Sequence, residues 1–315
     1  MANHKFFISC DWGTSNFRLA VVKTENLEIV SEYKSDKGIK VLYNEFLQQN
    51  HLSQEDYFSN YLLSAVKKLP KQFHELLIVS SGMATSNIGM YEMEYAALPF
   101  DTEGSNFISK KILFENGLEI LLISGVRNEV GVMRGEETQA IGLADFIDKN
   151  TNAILILPGT HSKHLTFSKG KFTRLTNYMT GELFEILSQK SILSQSILKP
   201  NEQEIIKNAF IDGVKVGAKG KLTSSLFSIR SRDLIKTSSK TENYYYLSGM
   251  LIGDELSYLK SSNLNIYMSC PYPLADFYRL ALDYILEDKN YTIFNDDTSK
   301  KAMLYGQYKI LKHYE

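Results

Sequence analysis

Two short stretches of the chain place glycine, threonine and serine directly after an apolar run. In the first stretch the run 6–10 ends at Asp11, and a turn with two hydroxyl groups precedes a second apolar run, 17–22. This pattern predicts a β-hairpin whose polar tip offers backbone N–H groups and hydroxyls to an anion. Asp11, at the end of the strand, could hold a hydrated Mg²⁺, which binds phosphates through one or two carboxylates. The turn residues that could contact the anion are Gly13, Thr14 and Ser15.

The same order of residue types returns roughly half a chain later. The apolar run 153–157 leads into a second turn, and strand-like residues 165–167 follow it. This turn contains Gly159, Thr160, His161 and Ser162, and Lys163 is the nearest cation. An ordinary hairpin with a polar tip is the alternative at the first site, because Asp-x-Gly is common in turns. The repetition favours two related halves whose turns close on a polyphosphate from opposite sides.

Composition limits the classes of function. The chain has 315 residues, enough for two domains and an ample core, with 43% hydrophobic and 23% charged residues. Its net charge of −1 gives no general attraction for nucleic acid, and no apolar run is long enough to cross a membrane. Cys10 and Cys270 lie in or beside predicted strands, so we expect reduced core residues. A cytoplasmic protein is expected, since the N-terminal residues also lack the pattern of a signal peptide.

Strands and helices are predicted to alternate around the two turns. A short strand, 75–80, leads into the polar loop 81–86, and ligands of open α/β sheets bind beyond the carboxyl ends of strands. That position makes the loop a candidate for contacts to a substrate. Helices are predicted over 53–69, from 133–139 to about Asp148, over 201–220 and over 242–259.

Six segments, in order along nearly the whole chain, carry a more specific signal. They are DWGTSNFR (Asp11–Arg18), SSGMATS (Ser80–Ser86), VMRGEETQ (Val132–Gln139), LPGTHSKH (Leu157–His164), YMTGELF (Tyr178–Phe184) and LSGMLIGDEL (Leu247–Leu256). Together they resemble the 2-dehydro-3-deoxygalactonokinase family of the sugar kinase/actin/Hsp70 superfamily. The first segment is shared by many members of the superfamily, whereas MRGEETQ with PGTHSK and MTGELF is much more specific.

The resemblance implies an α/β fold of two ribonuclease H-like domains, of the actin-like ATPase type, with a cleft between them. We expect a domain over 1–148 with sugar-binding loops and a nucleotide-binding domain over 149–315. The implied reaction transfers the γ-phosphate of ATP to 2-dehydro-3-deoxy-D-galactonate, giving the 6-phosphate in D-galactonate catabolism. The residues alone indicate only phosphoryl transfer to a small polar acceptor, so the acceptor's identity rests on the resemblance.

Three carboxylates are the candidate catalytic residues. Glu136 and Glu137 open a helix that would begin beside the phosphate-binding turns, where a carboxylate could accept the proton of an attacking hydroxyl. We favour Glu136 as this base, with Asp11 holding Mg²⁺. Carboxylates are also favoured in any first helical turn by the helix dipole, which is the structural alternative for both glutamates.

The resemblance implies further contacts to substrate and nucleotide. The candidate substrate residues are Ser81, Gly82, Met83, Arg134, Lys163, Thr180 and Glu182. Thr180 could instead be only a helix N-cap, and Arg134 and Lys163 could be only solvated side chains. Gly249 and Met250 match the segment that covers the adenosine in the superfamily, so they are expected to bind the nucleotide. Close helix packing is the alternative explanation for Gly249 and Gly253, which lie four residues apart.

Other functions predict different behaviour. A phosphatase or polyphosphate hydrolase of the same superfamily would release phosphate without a sugar, and a nucleotide-gated binding module would turn over ATP slowly. The chain has no Gly-x-x-x-x-Gly-Lys-Ser/Thr motif, and His161 and His164 lack further zinc ligands nearby. The expected partners are therefore ATP with Mg²⁺ and a small sugar acid, without nucleic acid or membrane, and a homodimer is left open.

Overall fold

The structure is a computed structural model that describes residues 5–200, 206–288 and 290–314. Its strands are β1 (Phe6–Trp12), β2 (Phe17–Lys23), β3 (Ile29–Ser35), β4 (Ile78–Gly82), β5 (Ala96–Ala97), β6 (Phe100–Asp101), β7 (Ser109–Leu113), β8 (Glu119–Ile123), β9 (Val126–Arg127), β10 (Val132–Met133), β11 (Ala153–Leu157), β12 (Ser162–Ser168), β13 (Lys171–Tyr178), β14 (Asn265–Met268) and β15 (Tyr291–Ile293). Its helices are α1 (Ile39–Phe46), α2 (Gln54–Val66), α3 (Glu136–Leu143), α4 (Thr180–Gln189), α5 (Lys207–Gly217), α6 (Leu222–Leu234), α7 (Lys240–Leu256), α8 (Leu274–Ile285) and α9 (Asp296–Tyr314). The predicted α/β class is confirmed.

The predicted helices form, with corrected ends. The Ser53 hydroxyl accepts the backbone N–H of Asp56 at 3.1 Å and so begins α2 as predicted. The helix expected to reach Asp148 instead stops at Leu143, continues as a 3-10 turn and becomes extended at Ile147. Within the predicted helix 201–220, α5 begins at Lys207, and residues 201–205 lie outside the described part of the chain.

Contacts divide the chain into two compact units. The first unit comprises the residues up to 151 together with 166–175 and the residues from 297 onward, and the second comprises 152–165 and 176–296. In the described residues, no helix combines the length and apolarity needed to cross a membrane. Cys10 in the first unit and Cys270 in the second are free and buried, as predicted. Burial raises the pKa of each thiol to about 12.

The first unit is built on a six-stranded sheet with the order β3-β2-β1-β4-β8-β7. Strands β1, β4 and β8 run parallel, while β2, β3 and β7 are antiparallel to their neighbours. The carboxyl ends of the parallel strands bring Asp11 and Ser81 opposite each other at one edge of the sheet. Trp12 packs in the same core cluster as Phe58 and Leu62 of α2. This edge is where an open α/β sheet binds ligands.

The second six-stranded sheet has the order β15-β14-β11-β12-β13-β6. Strands β11, β14 and β15 run parallel. Residues 166–175 of β12 and β13 belong to the first unit, where Phe172 pairs with Phe100 of β6. Five strands have the same order in the two sheets, and the additional edge strand is β7 in the first sheet and β6 in the second. The corresponding strands are β3-β2-β1-β4-β8 in the first sheet and β13-β12-β11-β14-β15 in the second. The duplication expected from the two turns is therefore present in the topology.

Helices α5 and α7 of the second unit pack backbone against backbone. Their contact is lined by four glycines, Gly213, Gly217, Gly249 and Gly253. A Cβ added at Gly249 would overlap the carbonyl of Phe210, and one at Gly253 would lie 2.6 Å from the carbonyl oxygen of Val214. The close-packing explanation for Gly249 and Gly253 therefore describes what these residues do in the fold.

Helix α9 of the first unit holds α3 by a similar close contact. A Cβ at Gly142 would overlap the carbonyl of Ala302, and one at Gly306 would overlap the carbonyl of Thr138. The Lys309 ammonium also lies 2.7 Å from the Asp145 carboxylate just after α3. These contacts fix the helix whose first turn carries Glu136 and Glu137.

Candidate active site

The first turn, Gly13–Asn16, is exposed at its tip and held from behind by the start of α1. Its own backbone closes with a 2.9 Å hydrogen bond from the Gly13 N–H to the Asn16 carbonyl. The N–H groups of Ile39 and Lys40 donate to the carbonyls of Gly13 and Thr14 at 3.0 and 3.1 Å. Thr14, Ser15 and Asn16 remain exposed, so their polar groups face an open groove of about 600 Å³.

Glycine at position 38 is required by the contact between α1 and the first turn. A Cβ there would overlap the main chain of Thr14 and Ser15. The indole N–H of Trp12, at the base of the turn, donates to the Lys37 carbonyl at 3.2 Å. The start of α1 and the tip of the hairpin are thus locked together by main-chain contacts and one aromatic side chain.

Asp11 occupies the end of β1 beside the first turn and lines the same groove. Burial raises the pKa of its carboxyl, the Arg18 guanidinium opposes that rise, and the Glu136 carboxylate adds to it. Arg18 is the cross-strand partner of Asp11 on β2. The Glu136 carboxylate, another candidate catalytic residue, therefore lies near enough to Asp11 within the first unit to disfavour its charged form. A cation beside this pair would relieve their repulsion.

Glu136 and Glu137 open α3 with different environments. Glu137 is fully buried, and the Gly135 N–H donates to both of its carboxylate oxygens at 2.8 and 2.7 Å. Burial and the neighbouring Glu136 carboxylate raise the pKa of Glu137 to about 7. Glu136 is half-buried, and one of its oxygens accepts the Arg134 N–H at 3.1 Å. Glu137 therefore supports the start of the helix, whereas Glu136 is the more accessible carboxylate.

Arg134 and Ser81, two predicted substrate contacts, are engaged within the first unit. The Arg134 guanidinium donates to the Thr85 hydroxyl at 2.6 Å and lies over the Tyr95 ring at 4.0 Å. Ser81 is buried, and its hydroxyl accepts the Gln307 amide of α9 at 2.9 Å. A substrate contact by either side chain would compete with these internal bonds.

Gly82 and Met83 continue the same polar loop. Gly82 is buried with φ of +94°, a conformation that favours glycine, and a Cβ there would lie 2.8 Å from the Trp12 carbonyl oxygen. Met83 is half-buried and packs against the core cluster of Trp12. The predicted loop therefore lies close to the end of β1.

The second turn, Gly159–Ser162, is held by the start of α4. The Glu182 N–H donates to the Thr160 carbonyl at 3.0 Å. A Cβ at Gly181 would lie 2.7 Å from both the Gly159 carbonyl oxygen and the Thr160 Cα. Gly38 and Gly181 thus have matching positions, each at the start of the helix that follows the third strand of its repeat. Sequence reasoning missed this correspondence, although both glycines are visible in the sequence.

Side chains of the second turn make further contacts inside the second unit. The His161 ring lies 2.7 Å from the Glu182 carboxylate, and the Lys163 ammonium donates to the His161 carbonyl at 2.7 Å. The alternative role of Thr180 as the N-cap of α4 is wrong, because Met179 holds that position and Thr180 is the first helical residue. The Thr180 hydroxyl donates instead to the Glu255 carboxylate of α7.

A cavity of about 180 Å³ opens beside the second turn, entirely within the second unit. Its lining combines Gly159, Thr180 and Gly181 with aromatic side chains of α4, α7 and α8. The aromatic residues are Phe184, Tyr244, Phe277 and Tyr278. A mainly apolar cavity of this size, below the roughly 300–1,000 Å³ of a whole small-molecule pocket, suits one flat portion of a ligand.

The residues of helix α7 that line this cavity are not those that the sequence predicts to bind the nucleotide. Ser248, Leu251 and Ile252 line it. Gly249 and Met250 are buried on another face, where Gly249 contacts α5. A nucleotide contact by Gly249 or Met250 stays a prediction that the packing of α7 does not support.

Known proteins match the chain over most of its length. A family model described as 2-keto-3-deoxy-galactonokinase matches residues 11–303. The chain belongs to this family. The family predicted from the six motifs is thereby confirmed, and so is its enzyme class, a sugar-acid kinase. A kinase family implies ATP as a substrate.

Individual relatives of the family agree with this assignment. A protein of Rhizobium meliloti (strain 1021), named a probable 2-dehydro-3-deoxygalactonokinase, is 29% identical over 266 residues, which are 82% of this chain and 81% of the relative. The 2-dehydro-3-deoxygalactonokinase of Escherichia coli (strain K12) is 25% identical over 261 residues, 81% of this chain and 80% of that protein.

A solved structure extends the likeness to the fold. The crystal structure of a Sinorhizobium meliloti protein, provisionally assigned as a 2-dehydro-3-deoxygalactonokinase, has a TM-score of 0.79 and 26% sequence identity. The match covers 97% of this chain and 99% of that chain. The α/β architecture described above is therefore the architecture of a family member.

Proposed function

We propose that this protein is a kinase that transfers the γ-phosphate of ATP to 2-dehydro-3-deoxy-D-galactonate and forms the 6-phosphate. The acceptor is the one in the names of the family and of its relatives. The observation that carries the proposal is the duplicated turn, in which a glycine at the start of a helix lies against the tip of each hairpin. Protein binding of phosphates commonly uses such glycine-bearing turns.

The two turns are proposed to hold the phosphates of ATP. Thr14 and Ser15 of the first turn and Thr160 of the second are exposed, and Gly13 and Gly159 beside them are half-buried. Neither Gly13 nor Gly159 has another group within 3.4 Å of the place where a Cβ would stand. Free space at these two positions is what close approach of a phosphate needs.

The aromatic cavity of the second unit is proposed to take the adenine base. It begins at Gly159 of the second turn, so a base inside it would leave the phosphates beside that turn. The rings of Phe184 and Phe277 give the flat apolar walls that a purine prefers. Ser248 supplies a hydroxyl at the wall.

Glu136 is proposed as the general base. Its half-buried carboxylate, oriented by the Arg134 N–H, would accept the proton of the acceptor hydroxyl as that oxygen attacks the γ-phosphorus and ADP leaves. Glu137 is less suited because both of its oxygens already accept the Gly135 N–H inside the protein. Catalysis in phosphoryl transfer is otherwise positioning and charge neutralisation.

Asp11 is proposed as the residue that holds Mg²⁺ through water. The described residues contain no group of three or more His, Cys, Asp or Glu that could hold a metal ion. One half-buried carboxylate with a second carboxylate acting on it nonetheless fits a hydrated Mg²⁺, which takes most ligands from phosphates and water. When bound, the ion would neutralise charge on the phosphates.

A coupled ADP-release assay with Mg–ATP and a panel of sugar acids tests the proposal. We expect the fastest ADP release with 2-dehydro-3-deoxy-D-galactonate, and slower release with its C4 epimer, with galactonate and with gluconate. No ADP with any sugar acid would contradict the kinase. Phosphate released from ATP without an acceptor would instead favour a phosphatase, and tight ATP binding with slow turnover at every acceptor would favour a nucleotide-gated module.

The division into domains 1–148 and 149–315 and the cytoplasmic location are part of the same proposal. Purified protein measured by analytical ultracentrifugation would show whether the homodimer left open by the sequence exists. Limited proteolysis that cut first near residue 148 would support the proposed boundary. First cleavage elsewhere would count against it.

A further inference from the structure

A cluster of hydrogen-bonded polar side chains, most of them buried, lies behind the second turn, and the proposed reaction gives it no role. We call it the polar cluster. Its members come from β12, α4, α7, the 3-10 turn after α7, and α8. They are Ser162, His164, Thr180, Glu255, Tyr258 and Tyr278. All of them belong to the second unit.

Glu255 is the centre of the polar cluster. Its side chain is 1% exposed, and burying a carboxylate is costly unless it is fully paired. One carboxylate oxygen lies 2.9 Å from Nε2 of His164. The other accepts the Tyr278 hydroxyl at 2.8 Å and the Thr180 hydroxyl. The other ring nitrogen of His164, Nδ1, lies 2.6 Å from the Tyr258 hydroxyl oxygen.

Two arms of the cluster reach the second turn. In one arm the Tyr278 hydroxyl lies 3.1 Å from the Ser162 hydroxyl, which in turn accepts the Gly159 N–H at 3.4 Å. In the other arm Thr180 fixes the start of α4, the segment whose Gly181 lies against Gly159 and Thr160. One buried carboxylate thereby orients both ends of the turn.

The same arms form part of the aromatic cavity. Tyr278 lines the cavity with its ring and uses its hydroxyl in the polar cluster. Thr180 and Gly159 also line the cavity. Removing a hydroxyl from the cluster would therefore alter the turn while leaving the aromatic wall in place.

We propose that Glu255 is a positioning residue that holds the second turn in its phosphate-binding shape through Tyr278 and Thr180. The inference rests on the proposed function, because it takes the second turn to bind phosphate. Glu255 itself does not line the aromatic cavity. Its role is to fix the hydroxyls whose partners are the turn and the start of α4.

The test compares two partial ligands of the wild-type chain and of Tyr278→Phe by calorimetry. Tripolyphosphate reports on the turn and adenosine reports on the cavity. We expect Tyr278→Phe to weaken tripolyphosphate binding roughly three- to tenfold, the effect of a lost buried hydrogen bond, and to change adenosine binding less than about twofold. Equal losses for both ligands, or no loss for tripolyphosphate, would overturn the inference.

Tyr291→Phe is the matched control. The Tyr291 hydroxyl also donates to a carboxylate, that of Asp283, at 2.8 Å, but it lies outside the polar cluster. We expect this variant to bind both ligands like the wild type. A tripolyphosphate loss as large as that of Tyr278→Phe would show that any lost hydroxyl of the second unit has the same effect.

A second pair of variants keeps the test informative if Tyr278→Phe does not fold. Thr180→Val keeps the shape of the side chain and removes its hydroxyl, whereas Thr180→Ser keeps the hydroxyl. We expect the valine variant to weaken tripolyphosphate binding several-fold, and the serine variant to restore the wild-type affinity. Failure of the serine variant to restore it would contradict the role of the hydroxyl.

Failure of the proposed function gives a different result. If the wild-type chain forms no ADP with any sugar acid and binds neither tripolyphosphate nor adenosine, both the kinase and the positioning role are wrong. If the wild type is an active kinase and Tyr278→Phe and Thr180→Val keep its affinity for tripolyphosphate, only the positioning role is wrong.

Discussion

The first and second turns share one backbone design and differ in what stands behind it. In each, a glycine near the start of the helix after the third strand lies against the turn, Gly38 for the first turn and Gly181 for the second. Behind the first turn are aromatic rings, with Trp12 packed edge-on against Phe17 and Phe58. Behind the second turn is the polar cluster centred on Glu255.

The two turns thus have similar backbones but are supported in different ways, the first by aromatic packing and the second by hydrogen bonds. An aromatic core holds a turn by packing, which tolerates changes of charge nearby but not changes of volume. A hydrogen-bonded cluster holds a turn by specific donors and acceptors, so the loss of a single hydroxyl leaves a buried partner unpaired and destabilises the turn. The two turns should therefore respond differently to the same kinds of substitution.

The buried acids of the two units differ in the same way. Glu255 is paired with a histidine and two hydroxyls, whereas Glu137 of the first unit is held by the Gly135 N–H and the Thr138 hydroxyl beside another carboxylate. The first unit thus keeps the carboxylates of Glu136 and Glu137 close enough to repel one another. That arrangement is suited to proton transfer and to attracting a metal ion.

The largest effect is expected for Glu136→Gln, because only the first unit is proposed to supply the base. Turnover should fall by about 10²–10⁴-fold while ATP still binds, since the amide cannot accept the proton. Coupled ADP release and calorimetry measure the two quantities. The exposed Glu129→Gln is the control. Near-normal turnover of Glu136→Gln would show that Glu136 is not the base and would leave Glu137 as the remaining candidate.

The next largest effect concerns pH and Glu137. Its pKa is raised from 4.5 to about 7 in the folded protein, so the folded state binds the proton more tightly than the unfolded state. The resulting stabilisation is complete below pH 4.5 and is lost as the pH rises through about 7, by up to about 3 kcal/mol. Urea unfolding of the wild type and Glu137→Gln between pH 4.5 and 8 measures this difference. Parallel pH profiles for the two proteins would contradict it.

Gly38→Ala and Gly181→Ala test the shared backbone design. Each added methyl meets main-chain atoms of its turn, so we expect about 1–3 kcal/mol of lost stability, with the larger loss at Gly38, where the overlap is greater. Thermal unfolding measures both variants. A wild-type melting temperature for either would show that its helix does not press on the turn.

The smallest effect is expected for Gly13→Ala and Gly159→Ala. The nearest group to an added Cβ lies 3.5 Å away at Gly13 and 4.0 Å away at Gly159, so the fold should keep its melting temperature. Under the proposed function the methyl groups crowd the phosphates, and the KM for ATP should rise by roughly three- to tenfold. An unchanged KM for one variant would identify the turn that does not approach ATP.

Local features of the fold could be predicted from the sequence. Both turns, the first helical turn at Glu136 and the alternation of strands and helices follow from apolar runs and glycines that are adjacent in the chain. The polar cluster could not be predicted, because its bonds join residues 91 positions apart, as in His164–Glu255, or 116 apart, as in Ser162–Tyr278. Such partners meet only when the repeat has folded.

Side-chain roles are hard to predict where a helix is buried on more than one face. Helix α7 is buried on most sides, so its sequence does not tell that Ser248 borders the cavity while Gly249 contacts α5. For Thr180 the sequence offers an N-cap as the alternative to a substrate contact, but Met179 is the N-cap and the Thr180 hydroxyl donates to Glu255. In both cases a distant partner decided the role of the residue.

The glycine-lined contact between α5 and α7 gives the second unit a helix pair of fixed separation, which can serve as an internal distance reference. Two helices whose main chains touch cannot slide or separate without opening a void, so probes placed on their outer faces should report one constant separation in every liganded state. A change in the distance from this helix pair to a probe on another element would then report movement of that element.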